Sequence, residues 1–191
     1  MSHQIPVNGV YFHVLRGNQY AFADERTKKY LLSILEEEQK HAHWHIYAFC
    51  MTNQEAYFIV ATENMAVWEQ DLQQATEQFL DTCRCRLPKW WSDEIKVKVG
   101  QARKLQTGKQ VREYCYRLHQ IPLECGYTER LSDYWWSSYL TYAGIYDWPI
   151  VECKWILQQF SDRPSIARQK LKECHVTTDI TFESIKRDAK I

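Results

Sequence analysis

The chain contains no apolar run approaching the roughly 18 residues that a membrane span needs. No signal-peptide pattern opens it. Its 24 bases and 24 acids leave no net charge, so the total excludes no class of partner. Cysteine is present seven times, at 50, 83, 85, 115, 125, 153 and 174, but no Cys-x-x-Cys pair with a zinc-like second half appears. Cys83 and Cys85 sit in a helical pattern, where i and i+2 do not share a face. No internal repeat or low-complexity tract is visible, and no heptad fixes an oligomeric state. These absences predict a reduced, cytoplasmic protein with no membrane contact. Its 191 residues, 45% of them hydrophobic, suffice for one domain with a real core and an appendage.

Charge is present in its distribution. From Arg84 to Arg117 there are ten bases against three acids, a net of +7, so the remainder carries −7. Such asymmetry points to an anionic partner for one face, although a solvated basic loop would look the same.

Hydrophobic periodicity gives the elements. Val10 to Leu15 reads as a strand closed by the turn signal Arg16-Gly17-Asn18. Asp24 caps a helix running to about Gln39, with Tyr30, Leu31, Ile34 and Leu35 as its apolar stripe. Trp44 to Met51 and Tyr57 to Ala61 read as strands joined through Thr52-Asn53. Asn64 caps a second helix, with Val67 or Trp68, then Leu72, Ala75, Phe79 and Cys83 at steps of three to four. Ile95 to Val99 alternates as a half-buried strand, with Lys96 and Lys98 on its exposed face. Gln101 to Gly108 reads as a polar loop, and Lys109 to His119 as a helix ended by Pro122 and Gly126. The order β-α-β-β-α-β-α predicts an α+β fold, a ferredoxin-like plait whose antiparallel sheet carries packed helices. Pro149 to Gln159 and Arg163 to Cys174 form a helix pair. The predicted division is a domain over 5–144 and a C-terminal helical extension over 145–191.

Several of these segments carry a more specific pattern. The opening Val10-Tyr11-Phe12-His13-Val14-Leu15-Arg16-Gly17-Asn18, followed by Phe22-Ala23-Asp24-Glu25, resembles the opening of the IS200-like single-tyrosine transposases, in their REP-associated branch. Met51-Thr52-Asn53 stands where that family writes Met-Pro-Asn before a His-hydrophobe-His motif. His119 to Tyr127 is similar to the family's His-Leu-Asn-Pro segment, and Asp133 to Tyr139 to its Asp-Tyr-x-Trp-Ser-Ser-Tyr block. Trp155 to Phe160 and Ala167-Arg168 are similar to the C-terminal helices of longer members.

The resemblance implies single-stranded DNA chemistry beside hairpins. Two histidines hold a divalent metal that polarises the scissile phosphate, and a helix-borne tyrosine attacks it. Here the histidine positions hold Gln54 and Ala56, and the tyrosine position, counted back from Pro122, holds Arg117. Alanine ligates nothing, a glutamine amide is a poor ligand, and a guanidinium only donates. Gln54 and Ala56 are expected on one strand face, with Glu55 on the other. His41, His43 and His45 offer a weak alternative metal set that chance supplies readily. The expectation is a non-enzyme without metal or cofactor: a transposase-derived protein, regulatory in role, that recognises hairpin or single-stranded DNA or RNA.

The residues expected at that interface are Arg16, Arg84, Arg86, Lys89, Trp90, Lys96, Lys98, Arg103, Lys104, Arg112, Arg117 and His119. Trp90-Trp91 beside the basic run would stack unpaired bases, or close the core at a helix end. Trp135 and Trp136 are expected to be structural. Two other readings stay open: a protein-interaction module using the C-terminal helices, and a nuclease with a relocated tyrosine, Tyr114 or Tyr116. A homodimer is neither required nor excluded.

Overall fold

A computed structural model describes residues 9–177. The outer parts of the two expected domains, 5–8 and 178–191, lie outside the described residues. The strands are β1 (Gly9–Gly17), β2 (Trp44–Met51), β3 (Glu55–Thr62), β4 (Val97–Val99) and β5 (Arg103–Leu105). The helices are α1 (Glu25–Gln39), α2 (Met65–Arg86), α3 (Lys89–Ser92), α4 (Gly108–Glu124), α5 (Tyr139–Ala143), α6 (Lys154–Gln158) and α7 (Pro164–Thr177), with a 3-10 turn at Leu131–Asp133. The fold is α+β around a five-stranded antiparallel sheet.

The sheet order is β2-β3-β1-β4, with β5 on the same edge of β1 as β4. β3 pairs with β1 over its whole length, from Gly9↔Thr62 to Arg16↔Glu55. On the other edge, β5 takes Val10 to Phe12 and β4 takes Leu15 to Gly17. The expected polar loop over 101–108 is therefore corrected. Arg103–Leu105 is a strand, because the unpaired edge of β1 offers donors and acceptors that three residues without hydrophobic alternation can still satisfy. The strand expected over 95–99 shortens to Val97–Val99, while Ile95 is buried ahead of it.

Two layers of helix cover the sheet. On one face, Trp68 of α2 donates to His13 Nδ1 at 2.9 Å and packs on Phe58. Phe79 of α2 meets Phe22, and α1 lies alongside α2. On the other face, Tyr114 of α4 packs edge-on against Phe12, which stacks on Tyr57. Strand alternation then sorts the sheet: His13, Leu15, Ala56 and Phe58 face α1 and α2, while Phe12, Val14, Arg16, Glu55 and Tyr57 face α4.

The caps expected at Asp24 and Asn64 form. Each side chain accepts from the backbone N–H two residues on, of Arg26 and of Ala66. The helix expected to stop near His119 instead runs through Pro122 to Glu124. A proline this close to a C-terminus costs one backbone bond, and the helix then closes on Gly126. Beyond it, α7 packs on α4, α5 and α6, and its Ala167 and Leu171 join the main core.

Candidate nucleic-acid interface

The turn before β3 is held from several sides. Thr52 Oγ1 accepts from the N–H groups of Gln54 and Glu55, at 3.3 and 2.9 Å. Gln54 O accepts from Gly17 N at 2.6 Å, and Asn53 O from Phe22 N at 3.1 Å. Here the strand reading is corrected. Gln54 lies in the bend, exposed, because Thr52 caps the turn and β3 begins only at Glu55. Ala56 is buried on the α1–α2 side, opposite Leu15. The two therefore do not present a joint surface.

The Arg16-Gly17-Asn18 motif is architectural at its last two residues. A Cβ on Gly17 would stand 2.2 Å from that of Ala21, so only glycine fits. Asn18 donates to Glu94 O at 2.6 Å and accepts from Tyr20 N and Lys96 N, tying the end of β1 to the segment before β4. The Asp133–Tyr139 block is architectural as well. Tyr134 OH donates to Met51 O at 2.6 Å, Trp136 O accepts from Met51 N at 2.9 Å, and Ser138 Oγ accepts from Phe49 N at 3.0 Å. The block finishes the outer edge of β2. Trp136 is buried, as expected of a structural residue, but Trp135 is 45% exposed.

The face under α4 collects charge. Glu55, Arg16 and Lys98 form one row across β3, β1 and β4, since directly paired residues share a face. Arg16 Nε lies 3.8 Å from Glu55 Oε1, and the Tyr57 hydroxyl donates to the other Glu55 oxygen. Burial and the adjacent carboxylate push the Tyr57 hydroxyl far above its ordinary pKa, which keeps it a donor. Four residues back along β1, Arg103 pairs with Phe12 on the same face, about 13 Å away at the strand rise. The Arg103 and Arg117 guanidinium carbons lie 5.7 and 5.8 Å from the centroid of the Tyr114 ring. Arg117 Nε is buried and makes no hydrogen bond. The sequence pattern did not single out Glu55, Tyr57 and Tyr114 as neighbours of this face. Counting the two-residue alternation back from the buried run of β3 would have found the first two.

The remaining expected contacts separate. Lys96 and Lys98 are exposed, and Lys98 belongs to the row. Lys104 lies over Tyr11, across the sheet from Arg103. Arg112 donates to Gln159 at 2.5 Å and so serves the junction with α6. Arg84 is exposed on α2 and paired with Asp81 at 2.7 Å. Arg86, Lys89 and Trp90 lie at the α2–α3 end, with Arg86 over Tyr30 and Trp90 75% exposed. His119 is corrected: it is fully buried, because α4 turns it away from the sheet toward α5 and α7. There it meets Ser138 at 2.9 Å and His175 at 3.0 Å. Tyr116 is on that side as well, edge-on to His175 and Phe160.

Among the described residues no three His, Cys, Asp or Glu side chains converge as a metal site, and His41, His43 and His45 are not drawn together. No helix there is long and apolar enough to cross a membrane.

Comparison with known proteins gives one fold relationship. No family model matches the sequence, and no curated protein matches it. Among solved structures, the chain is similar to a REP-associated tyrosine transposase bound to a REP hairpin, with a TM-score of 0.57 and 12% identity over 72% of this chain and 82% of that one. At that identity the likeness concerns the fold: this chain has the fold of that transposase.

Proposed function

We propose that this chain binds hairpin or single-stranded nucleic acid on the α4 face of its sheet, and that it has lost the strand-cutting chemistry of the enzymes it resembles. The observation that carries the reading is the gathering of Arg103 and Arg117 on the Tyr114 ring, on the same sheet face as the Arg16–Lys98 row. The Tyr114 ring is itself buried and holds the two half-buried guanidinium groups close together, where their outer N–H groups suit phosphate oxygens. The similar transposase was solved on a REP hairpin, which favours this partner over others of the same charge.

Loss of cutting rests on residue chemistry in either register. Motif alignment gives Gln54 and Ala56, and the face that looks toward α4 gives Glu55 and Tyr57. Neither pair supplies two imidazoles. Arg117 has no nucleophilic atom, and burial pushes the Tyr116 hydroxyl far from the phenolate that attack requires. A regulatory role follows as the use of a fold that holds a hairpin without cleaving it.

Fluorescence anisotropy with labelled DNA and RNA hairpins at low salt tests the reading. Binding that weakens at least tenfold in Lys98→Glu/Arg117→Glu, without cleavage in Mg²⁺ or Mn²⁺, is the expected result. Absence of binding to either hairpin, or metal-dependent cleavage abolished by Tyr116→Phe or Tyr114→Phe, would overturn it.

A further inference from the structure

The surface that α1 and α2 present to solvent lies on the opposite side of the sheet from the α4 face, and although the two helices together carry more acids than bases, their cations and aromatic rings gather in one part of it. An open groove of about 670 Å³ runs between the two helices, with Arg26, Lys29, Tyr30 and Arg86 in its walls. A second groove, of about 380 Å³, shares Arg26 and Lys29 and ends on Trp135. Arg26 lies 5.6 Å over the ring of Trp91, which stacks on Trp90. The result is one band, from Trp135 across Arg26 and Lys29 to Trp90 and Arg86.

Its charge is only partly cancelled locally: Glu25 stands in the second groove, one helical turn before Lys29. Arg26 is held by Asp24 at 3.0 and 3.2 Å, and the acid of the first groove, Asp81, is taken by Arg84. Among the described residues Lys29 has no acidic partner, and Arg86 has only the Tyr30 ring. Trp90 and Trp135, two of the largest exposed apolar side chains, stand at the two ends. Flat aromatic faces between unpaired cations match the alternation of bases and phosphates in a single strand. A purely apolar partner would leave Lys29 and Arg86 buried without a counter-charge. The band also connects to the first surface. Asn18 bonds to Glu94 and Lys96, so the short segment from Trp91 to Lys96 wraps the sheet edge from the band to the Lys98 row.

We infer that the band is a second nucleic-acid surface, which takes the unpaired strand flanking a hairpin while the α4 face holds the hairpin itself. The inference rests on the proposed function for the hairpin part, and the band's chemistry stands separately.

Four labelled DNAs decide it by anisotropy at low salt: a bare hairpin, the same hairpin with a ten-nucleotide 5′ or 3′ arm, and (dT)12. One armed hairpin is expected to bind about tenfold tighter than the bare one, the scale of stacking a base on an aromatic ring. Trp90→Ala/Lys29→Glu, both exposed positions, should remove that gain and leave bare-hairpin affinity unchanged, with the circular dichroism spectrum intact. Lys98→Glu should weaken bare and armed hairpins alike. Equal binding of bare and armed hairpins, or a gain that survives Trp90→Ala/Lys29→Glu, overturns the inference while the hairpin reading stands. If hairpins fail to bind but (dT)12 binds and depends on Trp90 and Lys29, the hairpin reading falls and the band stands. A protein ligand lost in this variant, with nucleic-acid binding untouched, overturns the band as a nucleic-acid surface.

Discussion

Three hydrogen bonds run in series from the edge of β2 to α7, and they fix the protonation of two imidazoles. The Leu171 carbonyl only accepts, so His175 Nδ1, 2.7 Å away, carries its proton. His175 Nε2 is then an acceptor, and His119 Nδ1 donates to it at 3.0 Å. His119 Nε2 is left as an acceptor facing the Ser138 hydroxyl at 2.9 Å, whose single proton it shares with the Phe49 carbonyl at 3.1 Å. Both rings are neutral in this arrangement, assigned from the hydrogen-bond network. A further proton on His175 would set two N–H groups against each other. Burial holds His175 down at about 4, only partly offset by the leucine carbonyl, and burial with the neighbouring His175 holds His119 well below the ordinary histidine range. Both folded-state values lie below the unfolded one, so at mildly acid pH the unfolded chain binds more protons. The stabilisation is complete above about 6.5 and is lost as pH falls toward about 4. The midpoint of thermal unfolding should therefore drop across that window, and His175→Gln should flatten the drop, since its amide can bridge His119 and Leu171 without titrating. Superimposable pH profiles for the two proteins would refute the assignment.

The critical element is α4, which carries Tyr114 and Arg117 to the sheet and His119 to the C-terminal helices. Its C-terminus is closed by a Schellman motif. Gly126 N donates to Leu123 O at 3.1 Å, Tyr127 N donates to Pro122 O at 2.8 Å, and Gly126 takes φ +70°. Space is open around Gly126, so an added methyl meets strain in the backbone alone. Gly126→Ala should cost about 1–2 kcal/mol, and Gly126→Asn less, because asparagine tolerates the left-handed region. Chemical denaturation would measure both, and equal stability of wild type and Gly126→Ala would refute the cap. The same helix shows where sequence reading reaches its limit. Gly126 was legible as a stop signal, but Pro122 suggested an earlier end because its lost bond falls where the helix is finishing anyway. β5 was illegible for a different reason. Arg103-Lys104-Leu105 has no strand signature and becomes a strand only because β1 leaves an edge beside it. The β1, α1, β2 and α2 segments carry strong periodicity and caps, and they appear where their patterns place them. The facing of β3 required the turn geometry at Thr52, which no spacing rule supplies.

At the scale of the whole molecule, zero net charge conceals a basic α4 face and, across the sheet, a band of cations on otherwise acidic helices, the two joined around the β4 edge. The +7 segment is divided between them by strand alternation and by the turn from α2 into β4: Lys98, Arg103 and Arg117 go to the α4 face, and Arg86, Lys89 and Trp90 to the α1–α2 face. Charge counting identified the segment but not the division, because the count ignores which way successive residues point. The division has a measurable consequence in salt. Each phosphate neutralised on a single strand adds about −0.7 to the slope of log K against log salt, and on a duplex about −0.9. Arg16, Lys96, Lys98, Arg103 and Arg117 on or beside the α4 face give an expected slope of about −3 to −5 for a bare hairpin. Replacing Lys98 or Arg117 by alanine should reduce its magnitude by about one each. Arg84→Ala on α2, where the guanidinium is paired with Asp81, should leave it unchanged. Hairpin titrations at four salt concentrations would read the slopes. A slope that responds to Arg84 but not to Lys98 or Arg117 would move the binding surface off the α4 face.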